Sequence, residues 1–258
     1  MNPRGDIAFL VASECRVELL RNLSEESMRP TELASEVSCA RETVHRSLSG
    51  FVDNQWVEKD GHAYRTTAAG EMILAEYETL ESTVERASEL GTFLTELGER
   101  ATEIPESALH SVSVTTATSD DPHAPINRYS SWLGDEPVSS FRGMTPIASP
   151  VFNEAAQRVL GPETEMELII DASVFDVSEQ AYTDALDRAL ELEQFTLLRA
   201  AESVEFALAV VDGRVSVAAV DDRGNVVAGV DGDDDALYEW ATDVYERHRN
   251  GAERVTME

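Results

Sequence analysis

Lysine is almost missing from this chain of 258 residues: its 20 basic residues are 19 arginines and a single lysine, Lys59. A Schiff-base lysine, a phosphate-loop lysine or the His-x-Lys pair of a phosphodiesterase would need a lysine in a different setting. Cysteine is scarce as well. Cys15 and Cys39 supply neither a disulfide framework nor metal-ligand spacing, and they read as two small hydrophobic residues. No apolar run reaches 18 residues, which argues against a membrane span. Met1 to Asp6 lacks the basic-then-apolar pattern of a secretion signal. A cytoplasmic protein without a membrane partner is expected. The five histidines are scattered, and no HExxH, GxSxG, GxGxxG or CxxC motif occurs. Those absences point away from an enzyme. No catalytic residue, metal ligand or cofactor is expected.

What is abundant is acid. Asp and Glu number 50, giving a formal net charge of −30, while hydrophobic residues make up 42%. The apolar fraction suffices for packed cores, so the acidity does not signal wholesale disorder. Excess carboxylates repel one another in a compact state. At ~1 M salt the Debye length is ~3 Å, and that repulsion is screened. An ordinary acidic protein usually keeps many lysines, so this composition resembles that of haloarchaeal cytoplasmic proteins adapted to molar salt.

The charge is unevenly spread. Residues 1–70 hold 8 basic and 11 acidic residues, a net of −3, whereas residues 71–258 carry a net of −27. A segment that must approach a polyanion would be kept near neutrality in this way. Chance over a short window is the bland alternative.

Along those first 70 residues, Ile7, Leu10, Val11, Val17, Leu20 and Leu23 recur at helical spacing and predict a helix over 7–23. Pro30 and Thr31 open a second helix, with Thr31 as its N-cap unless Arg29 precedes the first turn. After a break at Ser38 and Cys39, a third helix is predicted over 40–54, with Val44, Leu48, Phe51 and Val52 on one face. Trp56 and Val57 begin a strand, Asp60-Gly61 signals a two-residue turn, and 63–66 returns. Thr67 caps a long helix from Ala68.

This order of helix, short helix, break, helix and hairpin is that of a winged helix-turn-helix. The run from Arg29 to Glu71 resembles the winged-helix DNA-binding domain of archaeal transcription regulators. The matching elements are Thr31-Glu32-Leu33-Ala34, Thr43-Val44-x-Arg46-x-Leu48 in the third helix, Trp56-Val57-Glu58 with Asp60-Gly61, and Thr66-Thr67-x-x-Gly70. The resemblance implies double-stranded DNA, a promoter or operator, as partner.

With Val44 at zero and ~100° per residue, Arg46 falls near ~200° and Glu42 near ~160° on the third helix. Thr43 and Ser49 flank that outer face. Such a face in the major groove reads base edges. Arg46 suits bidentate bonding to guanine, and Glu42 suits a cytosine amino group. Arg41 could reach a phosphate or a base. Lys59, His62 and Arg65 in the wing could flank the DNA, and Thr31 at a helix start suits a phosphate. The bland reading of each is a solvated surface side chain.

Residues 71–104 form a linker helix region with a stripe at Ile73, Tyr77, Leu80, Val84, Ala87, Leu90 and Leu94. Self-association through the stripe would give a homodimer presenting two recognition helices. The alternative is that the stripe packs on the chain's own second half, and Gly91 and Gly98 weaken one continuous helix.

Residues 105–258 read as an α/β domain with a mixed sheet. Strands are predicted over 111–118, 138–148, 166–170 and 195–198, and helices over 126–133, 150–160 and 178–192. A β-meander then runs over 204–211, 214–220 and 226–230, turning at Asp212-Gly213 and at 221–225. Asp233 to Asp235 cap a last helix over 236–249. Asp171 at a strand end and Asp120-Asp121-x-His123 look ligand-like, and Trp132, Arg142 and Trp240 could line a pocket. A helix or turn cap is the simpler explanation for the strand-end Asp171, and core packing for the two tryptophans. The stretches 141–160 and 210–255 resemble the C-terminal domain of archaeal winged-helix regulators of the methanogenesis-regulator type. That resemblance implies a sensor or assembly domain and leaves the effector open.

The fold class expected is therefore α/β and multi-domain: a winged helix-turn-helix over 1–70, a linker and dimerisation helix over 71–104, and a regulatory domain over 105–258. The function expected is a sequence-specific, DNA-binding transcription regulator controlled by an unidentified signal, with a small-molecule effector among its candidate partners. A protein–protein adaptor that docks through the winged helix is the alternative.

Overall fold

A computed structural model describes residues 2–175 and 190–256. The chain divides into two compact units, Met1–Glu85 and Arg86–Glu258. The helix predicted over 178–192 falls largely outside the described residues.

The first unit contains α1 (Pro3–Val11), α2 (Glu14–Glu25), α3 (Pro30–Glu36), α4 (Arg41–Asp53), β1 (Val57–Asp60), β2 (Ala63–Thr66) and most of α5 (Ala68–Glu89). The single helix expected over 7–23 is two, broken at Ala12 and Ser13. Its stripe is also split. Leu10 is buried, but Ile7 and Val11 are exposed, so periodicity alone overstated the buried face. Arg29, not Thr31, occupies the N-cap of α3; its N–H donates to Glu32 Oε2 at 2.7 Å. The wing turn also shifts by one residue. Asp60 pairs with Ala63, so the loop is Gly61-His62, with Gly61 at φ +62°. A glycine at the first loop position with positive φ suits the right-handed twist of a hairpin.

The core of this unit gathers Leu19, Leu20, Leu33, Val44, Leu48 and Phe51. It joins α2, α3 and α4 at their apolar faces. Met28 pairs with Tyr64 as a third, one-residue partner of the hairpin. Cys15 and Cys39 are joined in a disulfide, which corrects their reading as two unlinked hydrophobic residues. They lie 24 residues apart in sequence, and only packing of α2 against the α3–α4 turn brings them together.

The second unit is built on an eight-stranded mixed sheet. Its order is β10 (Glu253–Arg254), β6 (Phe195–Arg199), β5 (Glu165–Ile170), β4 (Ser140–Thr145), β7 (Ala207–Val211), β8 (Arg214–Val220), β9 (Val226–Gly232) and β3 (Ser113–Thr116). Strands β4, β5 and β6 are parallel; the other pairings are antiparallel. The predicted meander is β7-β8-β9. Asp212 and Gly213 both take positive φ in its first turn, as a type I′ hairpin demands.

One sheet face carries α6 (Gly91–Leu97), α7 (Glu106–Ser111) and α10 (Asp235–Gly251) over Met144, Ile169, Val210, Val215 and Val217. The other carries α8 (Ala124–Leu133) and α9 (Pro150–Val159) over Phe141, Met166 and Val211. Asp234 caps α10, accepting from the N–H groups of Ala236 and Leu237. Gly98, at φ +60°, ends α6. Leu90 is buried in this unit's core and Leu94 packs against it, so the distal part of the linker stripe is satisfied within the chain.

Among the described residues of this unit, two carboxylates are buried. Asp231 receives Arg128 in a two-point ion pair at 2.7 and 2.5 Å. Asp171 accepts from Ser173 N at 2.9 Å, Ser173 Oγ at 2.5 Å and Val204 N at 2.9 Å. It therefore latches the loop before β7 to the end of β5. Burial alone would raise its pKa, but the hydrogen bonds outweigh that and hold it below the usual carboxylate range. A depressed folded-state pKa contributes stability that is present above the ordinary carboxylate value and lost as pH falls from there through the lower folded-state value. Asp171→Ala is expected to lower unfolding free energy by about 2–3 kcal/mol at neutral pH. The gap from the parent should narrow as pH drops below about 4. Denaturant titrations of both proteins across that range check the two statements.

Candidate nucleic-acid interface

The recognition candidate is α4. Its inner face is set by Val44, Ser47, Leu48 and Phe51, all buried. Two aromatic contacts fix its orientation. Phe9 lies edge-on to Phe51 at 5.6 Å between ring centroids and packs directly over Gly50, where a Cβ would sit 2.4 Å from the Phe9 ring. Arg16 stacks on the far side of Phe9, 4.2 Å from its centroid.

The opposite face is exposed. Arg41, Glu42, His45, Arg46 and Ser49 all lie there, while Thr43 is half-buried at the edge. Ser49 Oγ donates back to the His45 carbonyl at 3.1 Å. His45 was missed in the sequence reading. It stands at ~100° from Val44 on the helical wheel, on the flank of the Arg46–Glu42 arc opposite Thr43, and that angle was the available signal. Thr31 is exposed in the first turn of α3. Lys59, His62 and Arg65 are exposed on the hairpin, with His62 at its tip.

These residues differ in how committed they are. Arg65 is held by Glu58 on the neighbouring strand, Nη2 to Oε1 at 2.6 Å. Lys59 lies 5.9 Å from the Tyr64 ring centroid. Among the described residues, Arg41 and Arg46 form no ion pair. Arg4, Arg29, Arg223 and Arg254 are likewise exposed without an ion pair among the described residues; Arg41 and Arg46 are the two on α4. Several other arginines are held by structure. Arg21 on α2 bonds Glu78 at 2.8 Å and Glu81 at 2.6 Å on α5. Those bonds raise the Arg21 pKa, and Arg21 followed by Tyr77 pulls the Glu81 carboxyl below its usual range.

The wing and α5 are fastened to α4 through one residue. Trp56 is buried, donates its N–H to the Phe51 carbonyl at 2.9 Å and accepts from Thr67 N at 2.9 Å. Gly70 in the first turn of α5 lies against the Trp56 carbonyl, the one that accepts from Thr67.

A family model for the middle domain of the methanogenesis regulatory protein FilR1 matches residues 122–251, half of the chain. The chain belongs to the FilR1 family. The FilR1 match begins just before α8 and runs through α10, so it covers most of the mixed sheet. A second model, the HVO_A0261 N-terminal domain, matches residues 4–89, from α1 to the end of α5. The protein is thus a transcription regulator of the FilR1 family, with a helix-turn-helix head. No curated protein sequence matches the chain.

Among solved structures, TrmBL2, an archaeal chromatin protein, is 15% identical with a TM-score of 0.42, covering 99% of this chain and 100% of its own. A phospholipase D family member, Nuc from Salmonella typhimurium, is 15% identical with a TM-score of 0.43, covering 57% of this chain and 99% of its own. An ArsR-like transcriptional regulator from Rhodococcus sp. RHA1 is 20% identical, with a TM-score of 0.25 over 37% of this chain and 92% of its own. At such TM-scores none of these likenesses bears on function. No described helix is long and apolar enough to cross a membrane.

A Cβ on Gly70 would fall 2.0 Å from the Trp56 carbonyl oxygen, so backbone must move to admit it. Gly70→Ala is expected to destabilise the head by about 1–3 kcal/mol. Gly91→Ala, where a Cβ meets nothing, should be neutral or slightly stabilising. Calorimetric melting of both variants distinguishes them.

Proposed function

We propose that this FilR1-family protein is a homodimeric, sequence-specific DNA-binding regulator. In this reading α4 enters the major groove and the β1–β2 wing flanks the DNA. The observation that carries the reading is the exposed face of α4. It presents Arg41 and Arg46 without ion-pair partners, in a segment of net charge −3 within a chain of −30. Arg46 would bond a guanine edge, with Glu42, Thr43, His45 and Ser49 around it. Arg41, Thr31, Lys59, His62 and Arg65 would contact backbone or neighbouring edges. Residues 1–70 would be the reading head, 71–104 would carry dimerisation, and 105–258 would receive the controlling signal.

Dimerisation is assigned to the exposed side of α5. Met72 and Leu80 are 63% and 56% exposed, on a helix whose Ile73, Leu74 and Tyr77 already pack on the head's own core. Apolar side chains two turns apart on a free helix side suit a two-fold contact. The protein would work in molar salt. There the Debye length is ~3 Å, and affinity must come from close contacts and not long-range attraction.

Genome-wide occupancy in living cells tests the reading. Discrete promoter peaks are expected, and their absence would favour a protein-docking role for the winged helix. On a bound promoter fragment, Arg46→Ala should weaken binding by about 1–3 kcal/mol with melting unchanged. An equal gel shift by mutant and parent in molar salt would remove Arg46 from the interface. Leu80→Glu should convert the dimer to a monomer in light scattering at the same salt. A parent that is itself monomeric would sink the dimer assignment.

A further inference from the structure

The second unit contains a cavity of about 510 Å³ on the α8/α9 side of the sheet. Its floor is five small residues on adjacent strands: Gly143 on β4, Ala207 and Ala209 on β7, and Ser216 and Ala218 on β8. The pairings Gly143↔Ala209, Ala209↔Ser216 and Ala207↔Ala218 place them side by side on one face. On the other face the same strands bury Met144, Leu208, Val210, Val215 and Val217. Strand alternation thus puts bulk against α6 and α10, and leaves room on the α8/α9 side.

The walls are apolar and aromatic: Phe152 and Tyr129, edge-to-face at 4.8 Å, with Met166, Phe195 and Leu197. Among the described residues, none that line it is charged, although 27% of the chain is. Polar groups are few and neutral. Asn153 and Gln157 on α9 are exposed at the rim. On the floor, Ser216 is only 8% exposed, and its hydroxyl has no hydrogen-bond partner among the described residues. That leaves the hydroxyl available to a polar group that enters the cavity. Tyr129 lines the same space, and its hydroxyl also has no partner among the described residues. Burial pushes its phenol pKa up, which keeps it a neutral donor.

We infer that this cavity is a binding site for an uncharged, largely apolar small molecule with one or two hydrogen-bonding groups, which Ser216 and Tyr129 would meet. The volume lies in the range of small-molecule sites, and apolar walls with a few placed polar groups are their usual make-up. A carboxylate, phosphate or ammonium ligand would enter an apolar space that no described lining residue supplies with a counter-charge. As the entry point of the controlling signal, the site rests on the regulator reading above. As a binding site, it does not.

The test uses the full chain in molar KCl and two probes sharing one ring system. N-phenyl-1-naphthylamine is uncharged; 8-anilinonaphthalene-1-sulfonate carries a sulfonate. The uncharged probe is expected to show saturable fluorescence enhancement at one site per chain, and the sulfonate at least about tenfold weaker binding. Ala209→Leu, which fills the floor, should lose the uncharged probe. Ser216→Val, a milder change suited to a strand, should weaken it. Retained near-ultraviolet circular dichroism identifies the variants that still fold. The site assignment is overturned by no saturable binding to the parent, by equal binding of both probes, or by parent-like binding in a folded filled variant. Promoter binding is scored separately: a chain that takes the probe and ignores DNA retains the site and loses only the regulator reading.

Discussion

The carbonyl of Trp56 is the point on which the N-terminal unit turns. The residue before it, Gln55, takes φ +63°, which stops α4 and swings the chain into the wing. The Trp56 N–H returns to the Phe51 carbonyl, while its own carbonyl receives Thr67 N and lies against Gly70. The indole is buried 6.2 Å from Phe51 and 6.1 Å from Phe9, between ring centroids. One peptide unit therefore fixes three elements at once: the helix that would read DNA, the hairpin beside it and the start of the long helix. Buried backbone groups need partners, and here each partner belongs to a different element. The Arg21 clamp on Glu78 and Glu81 holds the same long helix two to three turns further along.

The C-terminal unit is organised by its sheet in a comparable way. Its parallel strands β4, β5 and β6 form the part where contacts are distant in sequence, and the meander is local. The two are stitched by Asp212. Its carboxylate accepts from the N–H groups of Ser139 and Ser140 at the start of β4. A turn residue chosen for positive φ thus also satisfies backbone donors of the strand beside it. On the outer part of the sheet, Glu167 accepts from Tyr245 at 2.6 Å and from Arg249 at 2.5 Å, tying α10 to β5.

Much of this was legible in the sequence where a local rule decides the outcome. Asp212-Gly213 declared its hairpin, Asp234 its cap, and Thr67 the start of α5, with Gly70 N donating to the Thr67 hydroxyl at 3.2 Å. The meander and α8, α9 and α10 fell close to their predicted spans. Errors arose where distant contacts decide. The break at Ala12 and Ser13 has no glycine or proline to mark it. Cys15 and Cys39 meet only through packing of α2 on the α3–α4 turn. The wing turn slipped because Asp-Gly and Gly-His are both workable loops, and the register with β1 selects the second. At the interface, the angular reading of α4 placed Arg46, Glu42 and Ser49 outward, but it passed over His45. The cavity was illegible, because its floor of Gly143, Ala209 and Ser216 is assembled from three strands, and small residues in strands carry no pattern of their own.

The ion pairs described above share one chemical trait. Arg21, Arg65, Arg128 and Arg249 supply the positive partner. Guanidinium groups stay charged to above pH ~12, whereas an ammonium of ordinary pKa is lost near ~10.4. Carboxylate contacts raise the Arg21, Arg128 and Arg249 values further. With a single lysine and five histidines in the chain, very little titrates between neutrality and the range of tyrosine. The molecule's net charge is consequently almost constant from just above neutrality to about pH 9. Acid and salt are the two variables left that can rewrite it.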